Sequence, residues 1–123
     1  MARVAPVRSL PVSVLSWWLL GRWATPELQS SLRAALASVA PAVLRSRAAS
    51  ALRANVAARL DAVCVPVLCL RATDDRLLSS AASAQIMAAI SHASLVDIPG
   101  PHLLLQAAPE ACAQAVAAFS ARL

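Results

Sequence analysis

The chain has 123 residues, and 59% of them are hydrophobic, which is enough length and apolar content for the core of one domain. Its formal net charge is +5, and every basic residue is an arginine. Few aromatic residues and no glycine-rich or RNP-like element accompany this charge, so the composition argues against a nucleic-acid partner.

The positive charge is concentrated at the front of the chain. Residues 1–60 hold eight arginines and a single acid, Glu27, whereas residues 61–123 hold three arginines and five acids. Several of these arginines recur among apolar residues with helical spacing, which is typical of a solvated helix face. The alternative is a surface that attracts anionic lipid or nucleic acid. The arginines concerned are Arg33, Arg45, Arg47, Arg53 and Arg59.

An apolar run, Leu10–Leu20, precedes the helical pattern. Two serines interrupt it, and it is shorter than the ~20 residues of a membrane-spanning helix, so we expect no transmembrane segment. Arg3 and Arg8 make this front imitate a signal peptide or an organelle transit segment, but no small-x-small cleavage site follows. We therefore expect a cytoplasmic protein.

The chain has three tryptophans, Trp17, Trp18 and Trp23. We expect them to be buried by apolar packing or in an interface, and the alternative is that they line a substrate channel.

The cysteine pattern points to free thiols. Cys64, Cys69 and Cys112 are odd in number, and no pair combines C-x-x-C spacing with nearby histidines as a zinc site does. We expect buried thiols in a reducing compartment. The sequence indicates neither a metal site nor a cofactor.

Helices are predicted over the first sixty residues. Thr25-Pro26-Glu27 combines an N-cap hydroxyl, a proline at the first helical position and an acid at the positive end of the helix dipole. This start predicts a helix over about 26–39. Pro41 then opens a second helix, and a short turn reaches Leu60, so residues 1–60 form a predicted helical, cap-like region.

The pattern changes to strand–helix–strand–helix over residues 61–123. Val63–Leu70 is a near-continuous apolar run of strand length, as expected for a buried parallel strand, with Pro66 near its start. Ser79-Ser80 begins a helix whose inner side is Ile86, Met87 and Ile90, and Leu95–Ile98 is the second strand. Pro109-Glu110 begins a last helix, for which the predicted inner side is Cys112, Val116, Phe119 and Leu123.

Two loops of this βαβα unit carry residues suited to acid–base chemistry. The carboxyl ends of neighbouring parallel strands, about 4.8 Å apart, meet at one edge of a sheet. Asp75 follows the first strand and His102 the second, so a carboxylate can orient the imidazole and leave its other nitrogen free to take a proton. Asp74 is the alternative acid. His92 precedes the second strand and is expected at the opposite edge, in a surface turn.

Two segments resemble the α/β-hydrolase family. Residues 65–78, VPVLCLRATDDRLL, are similar to the strand and acid loop of that family, with Ala72 where glycine is usual and Ser79 where proline is common. Residues 95–106, LVDIPGPHLLLQ, are similar to its strand and histidine loop. The resemblance implies a partial α/β-hydrolase fold in which Asp75 is the acid and His102 the histidine of a Ser-Asp-His triad that cleaves ester or similar acyl bonds.

The nucleophile elbow of that family is missing. A G-x-S-x-G elbow needs two glycines around a serine, and the only glycines here are Gly21 and Gly100. The chain therefore looks like the C-terminal part of a hydrolase, as a shortened gene, a decayed gene or a split enzyme would produce, and we expect it to be inactive alone. Unpaired strand edges predict self-association. The alternative function is a non-enzymatic interaction protein whose basic helical front binds a membrane surface or a partner.

Overall fold

The first half of the described chain is helical. The computed structural model describes residues 11–123, so Arg3, Arg8 and Leu10, on which the resemblance to a leader segment depends, lie outside the described residues. The elements are α1 (Val12–Leu19), a 3-10 turn (Gly21–Trp23), α2 (Pro26–Ala37), α3 (Pro41–Arg53) and a second 3-10 turn (Ala57–Ala62).

Helix α2 begins where the sequence predicts and ends two residues early. The Thr25 hydroxyl accepts a hydrogen bond from the Leu28 N–H at 3.2 Å, which is the predicted N-cap. At the other end Ala40 is extended (ψ 141°), as the residue before a proline tends to be. The helix therefore stops at Ala37 rather than at 39, because the chain has to leave the helical conformation before Pro41.

A parallel β-sheet follows. Its elements are β1 (Val67–Ala72), α4 (Ser80–Ala89), β2 (Ala93–Ile98), α5 (Leu104–Ala107) and α6 (Pro109–Ser120). The strands pair in parallel, with Val67 opposite Ala93 and Ala72 opposite Ile98. This arrangement confirms the predicted mixed α/β architecture with two parallel strands joined through a helix.

The predicted boundaries of the first strand are wrong. The apolar run predicted a strand over Val63–Leu70, but β1 runs from Val67 to Ala72. Its partner β2 begins opposite Val67, so residues 63–66 have no partner in β2, and Pro66 has no N–H to donate. The second strand, in contrast, starts two residues before the predicted Leu95.

Helices cover both faces of the sheet. Helix α6 packs on the face where Ile98 and Cys112 are buried with Leu104, and Leu70 and Ala72 of β1 join this core. Helix α4 packs on the other face. Its Ile90 is buried as predicted, whereas Ile86 and Met87 are only half-buried, so the expectation of a core methionine is met in part.

The inner side of α6 differs from the prediction. Cys112 is buried, but Val116 is 47% exposed and Leu123 is 75% exposed. Ala115 takes the inner position instead, which keeps the helical spacing from Cys112 to the half-buried Phe119. Side-chain size favours Val116 for the inner side of α6, whereas the small Ala115 lets the helix lie close to the sheet.

The three thiols are free, but they are not all buried as expected. Cys112 is buried, Cys69 is half-buried and Cys64 is exposed. Cys64 lies before β1 begins, in a segment that does not pair with β2. No helix within residues 11–123 has the length and apolar character needed to cross a membrane.

Candidate active site at the carboxyl edge of the sheet

The loops that follow β1 and β2 bring Asp75 and His102 into contact. The Nδ1 atom of His102 lies 2.9 Å from Oδ2 and 3.1 Å from Oδ1 of Asp75. Backbone hydrogen bonds hold the two loops together, because the Thr73 N–H donates to the Ile98 carbonyl at 3.1 Å and the Asp74 N–H to the Gly100 carbonyl at 2.9 Å. The structure thus places the two candidate residues side by side at one edge of the sheet.

The Asp75 carboxylate is oriented by its own loop. Its Oδ1 atom accepts hydrogen bonds from the N–H groups of Leu77 and Leu78, both at 2.8 Å. The side chain is only 16% exposed, and burial alone raises the pKa of a carboxyl group. The Leu78 N–H, the His102 ring and the Leu77 N–H outweigh that burial, so the pKa of Asp75 lies below its ordinary value of 3.8. Asp75 is therefore ionised at neutral pH.

Buried neighbours hold the histidine loop in place. Pro101 is fully buried, Leu104 is buried in the core, and the Leu103 N–H donates to the Leu19 carbonyl of α1 at 3.1 Å. A Cβ atom at Gly100 would lie 2.5 Å from Cδ1 of Leu104, so a side chain there would require Leu104 to shift in the core. The loop residues before and after His102 are therefore held in place, while a quarter of the His102 side chain stays exposed.

The second ring nitrogen of His102 is available for proton transfer. With the proton on Nδ1 directed to Asp75, Nε2 carries the lone pair. No serine, threonine or cysteine among residues 11–123 hydrogen-bonds this nitrogen. Asp75 and His102 therefore form a hydrogen-bonded acid–histidine pair, and the structure shows no third group bonded to Nε2 within residues 11–123.

Asp74, the alternative acid, has different partners. Its carboxylate accepts hydrogen bonds from Nε1 of Trp23 at 2.9 Å and from Nε of Arg22 at 2.8 Å. The Trp23 hydrogen bond is the largest influence and, with Arg22 and against partial desolvation, it lowers the pKa of Asp74. Asp74 therefore ties the acid loop to the Gly21–Trp23 turn, and Asp75 alone of the two acids contacts His102.

The Gly21–Trp23 turn is a part of the site that the sequence did not reveal. Gly21 has a φ of +54°, a conformation that glycine adopts at little cost, and the turn after it places Arg22 and Trp23 at Asp74. Arg76 also contacts this region, since its Nη1 donates to the Trp17 carbonyl at 3.0 Å and its guanidinium lies 4.4 Å from the centre of the Trp17 ring. No local sequence signal links Arg22 to an acid 52 residues away.

The remaining candidates lie away from this contact. His92 is exposed in the turn before β2, and its Nε2 lies 2.8 Å from the Val65 carbonyl. Of the three tryptophans, Trp17 and Trp18 are 56% and 42% exposed, and they meet edge to face, with ring centres 5.8 Å apart. Trp23 is the one of the three whose indole N–H donates a hydrogen bond to the acid loop, whereas Trp17 accepts one from Arg76 through its backbone carbonyl.

Residues 11–123 contain no group of three or more histidine, cysteine, aspartate or glutamate side chains that could hold a metal ion. A cleft of about 340 Å³ is lined by residues of the Gly21–Trp23 turn and by Asp74, Asp75 and Arg76 of the acid loop. No family model, curated protein or solved structure matches the chain.

Proposed function

We propose that this chain supplies the acid and the histidine of a serine hydrolase of the α/β-hydrolase type, which cleaves an ester or similar acyl bond. The contact between Asp75 and His102, across two loops at the carboxyl edge of parallel strands, is the observation that carries the proposal. The order acid then histidine along the chain supports it, since this is the order that the family uses.

Each residue has a defined part in the proposed reaction. A serine hydroxyl transfers its proton to Nε2 of His102 as its oxygen attacks the acyl carbon. Asp75, ionised at neutral pH, stabilises the resulting imidazolium through Nδ1. The imidazolium then protonates the leaving group. The attacking serine and the donors that stabilise the oxyanion come from a segment with a G-x-S-x-G elbow that lies outside this sequence.

Esterase activity of an assembled protein tests the proposal. The chain alone is expected to be silent with a small activated ester, and activity should appear when it is combined with the polypeptide that carries the elbow. His102→Ala should then reduce kcat by at least about 10³-fold, since acid–base groups of such triads contribute this much or more. His92→Ala is the matched control, because His92 is exposed in a turn and does not contact Asp75, and it should retain full activity.

Asp75 and Asp74 offer a second matched pair. Asp75→Asn should reduce kcat strongly because the amide cannot stabilise the imidazolium or hold the ring tautomer as a carboxylate does. Asp74→Asn keeps Asp75 and His102 unchanged and should have a much smaller effect. Equal losses in the two variants, or hydrolysis by the isolated chain that survives His102→Ala, would contradict the proposed roles.

One observation favours a second candidate function, binding to an anionic membrane surface. Trp17 and Trp18 are exposed on α1, and exposed arginines lie on α2 and α3, which is the combination that inserts rings at a headgroup layer and attracts anionic lipid. Vesicles that contain phosphatidylserine should then retain the chain, with binding that falls as salt is added, whereas phosphatidylcholine vesicles should not. Equal retention of a variant with both Trp17→Ala and Trp18→Ala would exclude this use of α1.

A further inference from the structure

Among residues 11–123, neither the outer edge of β1 nor that of β2 has a strand partner. Strand β1 pairs with β2 on one side only, and no strand among residues 11–123 lies on its other side. A cleft of about 620 Å³ lies between β1 and α4, and Asp97 of β2 also lines it. Small side chains make up much of its helix side, namely Ser79, Ser80, Ala82 and Ser83, and the larger Leu78 and Ile86 also line it.

The register shows which backbone groups face the open side. In a parallel ladder, alternate residues of a strand direct both N–H and C=O toward the same neighbour. The Thr73 N–H donates to Ile98 of β2, so by alternation Leu68, Leu70 and Ala72 direct theirs away from β2. An occupant of this edge must therefore be an extended backbone that pairs with these three residues.

We propose that a second copy of this chain occupies the edge, with the two β1 strands antiparallel and Leu70 at the two-fold axis. The three outward residues are spaced symmetrically about Leu70. Pairing Leu70 with its own copy, and Leu68 with Ala72 of the other copy, satisfies all of them, with two hydrogen bonds for each pair.

Other symmetric registers fail for identifiable reasons. An axis at Leu68 or at Cys69 would place Pro66, which has no N–H, in a hydrogen-bonding position. An axis at Ala72 would require the Asp74 N–H, which already donates to the Gly100 carbonyl. An axis between these positions, at Arg71, would set two like charges directly opposite each other, which is destabilising.

Charge and packing favour the Leu70 register. Arg71 is the only charged residue of β1, and its guanidinium forms a two-bond contact with Asp97, so the edge presents no uncompensated charge to its copy. In this register Arg71 faces Cys69 of the other chain rather than a second arginine. Leu70 already contacts the core beneath α6, and its symmetric copy would extend that apolar layer.

Disulfide trapping in the full chain tests the register. In a background with Cys64→Ser and Cys69→Ser, Leu70→Cys should give a covalent dimer on mild oxidation, because residues in a hydrogen-bonded antiparallel pair have Cα atoms about 5.5 Å apart. Leu68→Cys is the matched control on the same strand and face. Its two copies would lie roughly 13 Å apart along the strands, so it should stay monomeric on a non-reducing gel.

Light scattering and hydrogen exchange of the unmodified chain keep the test independent of folding in the variants. Scattering should report a dimer that dissociates on dilution, and the amides of Leu68, Leu70 and Ala72 should lose protection with it, whereas Thr73 keeps its own. A monomer at every concentration, a dimer that leaves those three amides unprotected, or equal trapping of Leu68→Cys and Leu70→Cys would overturn the proposal.

Discussion

Nδ1 of His102 lies 2.9 Å from Oδ2 of Asp75, although 27 residues separate the two along the chain. The separation is bridged by one helix and one strand, which return the chain to the same edge of the sheet. Backbone N–H groups of Leu77 and Leu78 complete the shell around the carboxylate, so its ionised form is favoured in the folded protein.

This environment predicts how acid destabilises the protein. The pKa of Asp75 is lowered from 3.8, so the folded state binds a proton at this carboxyl group less readily than the unfolded state does. The resulting stabilisation is fully present above about pH 4 and is lost as the pH falls through the folded-state pKa, below 3.8. In urea unfolding, the stability difference between the wild type and Asp75→Asn should therefore shrink with falling pH in that range. A difference that stays constant with pH would contradict this origin.

Core packing beside the site predicts a contrast between two adjacent leucines. Leu104 is 8% exposed and packs in the core cluster, whereas Leu105 is 61% exposed. Leu104→Ala should lower the free energy of unfolding by about 2–5 kcal/mol through lost burial and a residual cavity. Leu105→Ala should change it by less than about 0.5 kcal/mol. Denaturant unfolding followed by circular dichroism measures both, and similar losses would show that α5 is not seated as described.

The Gly21 conformation predicts a cost for any side chain there. Gly21 has a φ of +54°, and a Cβ atom at this residue would lie 2.9 Å from Nη1 of Arg76. Gly21→Ala should destabilise the protein by about 1–2 kcal/mol, since the left-handed region is less favourable by this amount for residues with a Cβ atom. Gly21→Asn is the comparison, because asparagine enters that region more readily, and it should cost less. Wild-type stability of Gly21→Ala would mean that the turn has another conformation in solution.

The exposure of the thiols predicts their order of reaction. Cys64 is exposed, Cys69 is half-buried and Cys112 is buried. A thiol reagent followed by mass spectrometry should label Cys64 first and Cys112 only on unfolding, because access limits the reaction of a buried thiol. Cys64→Ser should remove the fastest phase and leave the others unchanged. Rapid labelling of Cys112 under native conditions would contradict the packing of α6 on the sheet.

Much of the element order could be predicted because its signals are local. Thr25 and Pro26 mark a helix start through capping and backbone geometry, and the apolar run around Val67 indicates a strand by its composition. The boundary of β1 could not be predicted in the same way. It depends on where Ala93 of β2 lies, and this is a property of the pair of strands rather than of either segment.

The same distinction between local signals and tertiary contacts applies to the candidate site. By itself the sequence determined that an acid and a histidine follow successive strands, because loop positions in a βαβ unit depend on local patterns and on the handedness of the connection. Only the tertiary structure decided that Asp75 contacts His102 while Asp74 contacts Arg22 and Trp23. Adjacent carboxylates look alike in a sequence, and what separates them is the direction in which each side chain leaves the folded loop.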